Sequence, residues 1–132
     1  MKTEIYCDSA DLKTIKKLSN NSLVNGFTTN PSLMRLAGAK NYKKYSLKLL
    51  KACKGKPISF EVFADTPSQM LKQAKIINSW GKNVYVKIPV VNSKGYFSGE
   101  VIKELSRKKI KLNITAVYTV EQVKKIIKSI KG

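Results

Sequence analysis

The sequence predicts an α/β fold in which five successive βα units build a parallel sheet. Two observations carry that expectation. Apolar residues switch from a period of two to a period near 3.6 and back, five times over, at intervals of about 25 residues. The 42% apolar share can fill a core, and seven Gly and four Pro are too few for a low-complexity chain. Strands that alternate with helices pair in parallel through right-handed crossovers.

The elements follow in order. Ile5 to Asp8 reads as a strand, and Asp11 to Ser19 as a helix with Leu12, Ile15 and Leu18 on one stripe. Leu23 to Thr28 is strand-like, Asn30-Pro31-Ser32 reads as a turn, and Tyr42, Tyr45, Leu49, Leu50 and Cys53 stripe the next helix. Ile58 to Phe63 alternates as a strand. Thr66-Pro67 then offers a cap and a first-turn proline for a helix through Met70, Ala74 and Ile77. Val84 to Ile88 is the fourth strand, Glu100 to Arg107 a short helix with Val101, Ile102 and Leu105, and Lys111 to Val117 the fifth strand. Thr119 and Gln122 stand at capping-box spacing before Val123, Ile126, Ile127 and Ile130, a last amphipathic helix.

Composition excludes several chemistries. There is no histidine, which removes Ser-His-Asp and Cys-His hydrolases, His-ligated zinc and imidazole acid/base work. Catalysis must use Lys, Asp, Glu, Asn and Thr. Cys7 and Cys53 sit in apolar segments without CxxC spacing and read as reduced core residues rather than metal ligands. Neither a Walker-type loop nor G-x-G-x-x-G occurs. With no signal-like leader and no apolar run of eighteen residues, the expectation is a cytoplasmic protein that does not span a membrane.

The net charge of +18 attracts phosphates whatever the fold. Yet 24 of the 26 basic residues are Lys, spread along helical patterns, and only Arg35 and Arg107 offer a bidentate fork. The reading is a solvated surface with no specific nucleic-acid partner.

On strands, side chains alternate between faces. Ile5 and Cys7 oppose Tyr6 and Asp8; Ile58, Phe60 and Val62 oppose Ser59 and Glu61; Val84, Val86 and Ile88 oppose Tyr85 and Lys87; Leu112, Ile114 and Ala116 oppose Asn113 and Thr115. Each strand thus has an apolar face for helices and a face with a polar group towards its carboxyl end, where parallel α/β folds bind ligands. Asp8, Asn30, Glu61, Lys87, Asn113 and Thr115 are expected at one site.

Each also has a plain structural reading: Asp8 as a helix cap, Asn30 as a turn residue, Lys87 as a snorkelling lysine, Thr115 as a strand filler. Burying Lys87 beside carboxylates by accident is costly, which favours function. A lysine in such a place suits Schiff-base chemistry, because an ordinary amine with pKa about 10.4 is neutral in only about one molecule in 2,500 at pH 7. Desolvation raises that fraction, and nearby carboxylates lower it.

Tyr6-Cys7-Asp8, Gly26-Phe27-Thr28-Thr29-Asn30-Pro31-Ser32-Leu33, Phe60-Glu61-Val62, Val84-Tyr85-Val86-Lys87-Ile88-Pro89 and Asn113-Ile114-Thr115 resemble, in order and spacing, the transaldolase family. The small microbial transaldolases and fructose-6-phosphate aldolase-like members are most similar. The resemblance spans essentially the whole chain. It implies a class I aldolase mechanism without metal or organic cofactor, and a TIM (β/α)8 barrel of which residues 1–132 form a single partial domain, a parallel (βα)5 portion. It also assigns roles. Lys87 would form the Schiff base with a ketose phosphate, Asp8 would take the hydroxyl proton whose loss breaks the carbon–carbon bond, and Glu61 with Thr115 would hold a proton-shuttling water. Asn30 and Asn113, with Thr28 in the same block as Asn30, would contact the substrate. Glu61, where the aldolase branch typically carries Gln, points to transaldolase.

The family pattern runs to about eight βα units. Its strand-six serine and late-strand Ser/Arg phosphate site have no counterpart in these five. The expected partners are therefore a sugar phosphate together with a complementing C-terminal half or further copies of the chain. The alternatives are fructose-6-phosphate aldolase-type cleavage, and a basic nucleic-acid-associated or non-catalytic half-barrel.

Overall fold

A computed structural model of the chain describes residues 2–131. Its elements are β1 Tyr6–Asp8, α1 Leu12–Ser19, β2 Gly26–Thr28, α2 Pro31–Leu36, α3 Tyr42–Ala52, β3 Ile58–Glu61, α4 Pro67–Asn78, β4 Val84–Pro89, α5 Gly99–Arg107, β5 Leu112–Thr115 and α6 Val120–Lys131. The five strands are ordered β1-β2-β3-β4-β5, and the pairs β1/β2, β2/β3 and β4/β5 run parallel. Parallel strands in chain order, alternating with helices, make this the (βα)5 portion of a TIM barrel. The chain forms two compact units: residues up to Phe60 with Trp80–Val84, and Glu61–Ser79 with the residues from Tyr85 onward.

In the first unit the predicted helix over Asp11 to Ser19 begins at Leu12. Asp11 is its cap, accepting hydrogen bonds from Thr14 N at 2.8 Å and Thr14 Oγ1 at 2.6 Å. The core gathers Ile15, Phe27, Met34, Leu49, Cys53, Ile58 and Phe60, all fully or almost fully buried. Trp80 packs beside it, edge-on to Phe60 with ring centroids 5.6 Å apart and tilted to Tyr42 at 6.2 Å.

Two predictions here need correction. Leu23 lies outside β2 and is 70% exposed, because Asn21 Oδ1 takes the Leu23 N–H at 2.9 Å and folds the approach into a turn. Asn30-Pro31-Ser32, read as a turn, instead opens α2. Asn30 Oδ1 caps it from Leu33 N at 2.8 Å, Pro31 takes the first-turn position, and Gly38 at φ +87° follows its end.

In the second unit α4 buries Met70, Ala74 and Ile77 as the spacing predicts. Thr66 stands at the cap position but makes no side-chain cap bond. The loop after β3 is held differently, with Phe63 N and Ala64 N both donating to Gln73 Oε1 at 3.0 Å. After β4 the chain makes a hairpin closed by a Val91–Phe97 bridge, an element absent from the sequence reading. Its tip is tied back by Asp65, which accepts from Ser93 N at 2.8 Å and Ser93 Oγ at 2.7 Å.

α5 buries Val101, Ile102 and Leu105. β5 is shorter than predicted, since Ala116 adopts φ +58° and breaks the extended run. All four of its residues are half-buried, so Leu112 and Ile114 lack the covered apolar face expected of them. The capping box before α6 forms: Thr119 Oγ1 accepts from Gln122 N, and Gln122 Oε1 accepts from Thr119 N, both at 3.1 Å. Of its stripe only Ile126 is buried, while Val123, Ile127 and Ile130 are each more than two-fifths exposed.

Candidate active site

The residues singled out from sequence stand at strand ends. Asp8, Thr28, Glu61 and Thr115 are the last residues of β1, β2, β3 and β5; Lys87 and Asn113 stand two residues before the ends of β4 and β5. That is the end at which parallel α/β folds place ligands.

In the first unit the β1/β2 register sets Asp8 opposite Thr28, and Thr28 Oγ1 donates to Asp8 Oδ1 at 2.8 Å. Asp8 is exposed and does not cap α1, so its plain reading as a helix cap fails; Asp11 does that work. Next along the chain, Thr29 is fully buried and anchors β2 to β3, donating to Ser59 O from both N (3.1 Å) and Oγ1 (2.7 Å). Asn30 is half-buried, and the cap it gives α2 uses its carbonyl oxygen, leaving the two Nδ2 hydrogens uninvolved in that bond. Gly26 allows the tight approach of β1 and β2. A Cβ there would sit 2.5 Å from the Tyr6 ring and 2.7 Å from Pro57 O.

In the second unit Lys87 is 9% exposed. Its Nζ lies 3.9 Å from Glu61 Oε2, with the Glu61 side chain only 18% exposed. Backbone pairing holds the two strands at this level, through Val62 N to Lys87 O at 3.1 Å. Asn113 is in register with Lys87 and Thr115 with Pro89, so Asn113 and Thr115 share one face of β5. Val90 N donates to Thr115 O at 3.0 Å. The unit therefore sets an amine beside a carboxylate in a mostly buried place, with an amide on the adjacent strand. This is the equipment for covalent amine chemistry assisted by proton transfer.

Three supporting roles escaped the sequence reading. Gln73 and Asp65 fix the loops that follow β3 and β4, and Thr29 fixes β2. The Asn92-Ser93-Lys94-Gly95 run carried a turn signal that would have located the hairpin. Burial pushes the thiols of both Cys7 and Cys53 up from the ordinary range, with the Asp8 charge adding to the effect at Cys7. Among the described residues no group of three or more His, Cys, Asp and Glu is placed to hold a metal ion. No helix among them is long and apolar enough to cross a membrane.

Comparison with known proteins bears on this arrangement. The family model described as Transaldolase/Fructose-6-phosphate aldolase matches residues 5–131. The chain is 36% identical over 118 residues to a probable transaldolase of Dehalococcoides mccartyi, covering 89% of this chain and 53% of that protein. It is 33% identical over 117 residues to the probable transaldolases of Maridesulfovibrio salexigens (88% of this chain, 51% of that one) and Thermoplasma volcanium (87% and 50%). The chain spans about half the length of the curated relatives it matches. A family match from the first strand to the last helix, over a (βα)5 fold with its polar residues at strand ends, leads to one conclusion: the chain belongs to the transaldolase/fructose-6-phosphate aldolase family.

Proposed function

We propose that the chain carries the Schiff-base half of a transaldolase, which moves a three-carbon dihydroxyacetone unit between sugar phosphates of the pentose phosphate pathway. The observation that carries the reading is the mostly buried Lys87 side chain, its Nζ 3.9 Å from the Glu61 carboxylate. Lys87 Nζ, once deprotonated, adds to the ketose carbonyl carbon, and water leaves as the imine forms. Glu61, through a water it shares with Thr115, gives and takes the protons of that step. Asp8 then removes the proton of the C4 hydroxyl. The C3–C4 bond breaks, its electron pair enters the protonated imine, and an aldehyde leaves. The three-carbon carbanion adds to a second aldose phosphate such as erythrose 4-phosphate, and hydrolysis returns Lys87.

The Thr28 hydroxyl supports Asp8 in this role, since a donor at 2.8 Å orients the carboxylate for proton transfer. Asn30 and Asn113 bind substrate hydroxyls, and Thr28 lies among these substrate-side groups. Phosphate recognition falls to a complementing C-terminal segment or to further copies of the chain. A cytoplasmic setting suits such a reaction.

The family description also covers fructose-6-phosphate aldolase, and the two reactions separate on the acceptor. Transfer from fructose 6-phosphate to erythrose 4-phosphate yields a seven-carbon ketose phosphate, whereas the aldolase reading yields free dihydroxyacetone without any acceptor. The Asp8→Asn variant should lose turnover yet still form the imine at Lys87, and Lys87→Ala should lose both. Turnover by Lys87→Ala would refute the proposal.

A further inference from the structure

The first unit carries a charge feature that the sugar chemistry does not use. From Leu12 to Phe60 the chain holds 11 of its 26 cations and none of its eight acids. On α1, Lys13, Lys16 and Lys17 are exposed; along α3, so are Lys43, Lys44, Lys48 and Lys51. The two nearest preceding acids are already engaged, Asp8 by Thr28 and Asp11 by Thr14.

These side chains form a surface rather than a scatter. α1 packs on α3, and a hollow between them is lined by Lys16, Lys48, Lys51 and Lys54 over a small floor of Leu12 and Ala52. Lys54 is fixed there by donating to Asn20 Oδ1 at 2.7 Å. A second hollow, lined by Lys40, Lys44 and Lys48, shares Lys48 with the first. Lys44, Lys48 and Lys51 thus make a row with about one ammonium per 5.4 Å helical turn. Like charges at this spacing repel one another, and an anionic partner relieves the repulsion.

We infer that the α1/α3 face docks the phosphate backbone of a nucleic-acid duplex without reading its sequence. Charge complementarity names the partner, because a duplex offers one phosphate per about 1.7 Å of axis, dense enough to match the lysine row. The chemistry on the face narrows it further. Lysines act as point charges, and the strip holds no arginine fork to read base edges. It also exposes no stacking platform for single strands: Tyr42 is half-buried near Trp80, and the Tyr45 hydroxyl donates to Ala10 O at 2.8 Å. A bilayer fits less well. Leu47 is the only large apolar side chain exposed on α1 and α3, whereas interfacial helices sink a bulky apolar face into lipid.

The test is fluorescence anisotropy with a labelled mixed-sequence DNA duplex between 50 and 200 mM NaCl. It compares the unaltered chain with K44Q/K48Q/K51Q and with a control of equal charge change on α6, K124Q/K125Q/K128Q. Circular dichroism verifies that each variant is folded. The slope of log K against log salt should shrink by about 2.7 in the α3 variant, at about 0.9 per lost phosphate contact, and by less than about 1 in the control. At 100 mM salt the α3 variant should bind more weakly by on the order of a hundredfold. Equal losses in both variants, no salt-dependent binding at 50 mM, or stronger binding to vesicles of anionic phospholipid than to the duplex would overturn the inference.

Discussion

Replacing Glu61 by Gln leaves the Lys87 ammonium in its mostly buried place without the carboxylate that faces it at 3.9 Å. Two unit charges at that distance attract by about 1 kcal/mol in bulk water and about 4 kcal/mol at an effective dielectric of 20. With the two side chains only 11% and 18% exposed, the pair lies towards the second figure. The separation exceeds hydrogen-bond length, however, and desolvation opposes the attraction, which together bring the expected coupling to about 2 kcal/mol. The assay is a double-mutant cycle by urea unfolding at pH 7, with Glu61→Gln, Lys87→Met and the double variant. The double variant should be more stable than the sum of the single losses predicts, because it leaves no charge stranded. A coupling below about 0.5 kcal/mol would refute the argument that this pair shares a low-dielectric pocket.

Two further predictions concern the scaffold. Gly26→Ala should cost at least about 1–3 kcal/mol in urea unfolding, since the new methyl meets the Tyr6 ring and Pro57 O, an atom already held by Phe27 N at 2.8 Å; unchanged stability would contradict the close β1/β2 approach. The two bonds from Ser93 hold the Asp65 carboxyl below its ordinary value, so its contribution is fully present above the unfolded value of about 3.9 and disappears as pH falls through the lower folded value. Asp65→Ala should therefore be less stable than the parent at pH 7 by a margin that persists to about pH 4 and closes below it. A margin unchanged at pH 2 would count against the Asp65–Ser93 tether.

Sequence reasoning succeeded where information is local. The stripe Met70, Ala74, Ile77 and the Thr119/Gln122 box are complete within a dozen residues and appear in the structure as read. The alternation around Lys87 and Glu61 likewise put both on the polar faces of their strands, and their approach follows from neighbouring strands. α2 was missed because six residues are too few to establish a helical period, although its Asn-Pro opening uses the same first-turn proline as Thr66-Pro67.

Other features depend on distant partners. The Thr28–Asp8 hydrogen bond needs the β1/β2 register across 20 residues of sequence, and nothing in either segment specifies it. The uncovered faces of β5 and α6 reflect what packs on them, which an amphipathic pattern alone does not encode. The hairpin after β4 combined a turn signal with strand segments too short to show a period.

The central claim, that Lys87 is the Schiff-base nucleophile, is tested most directly by incubating the chain with fructose 6-phosphate and sodium borohydride and mapping the modified peptide by mass spectrometry. The account predicts one reduced sugar adduct, on Lys87, absent from Lys87→Ala and outcompeting the other 23 lysines of the chain. A chain left unmodified while a full-length relative is labelled, or an adduct spread over surface lysines with Lys87 untouched, would contradict it.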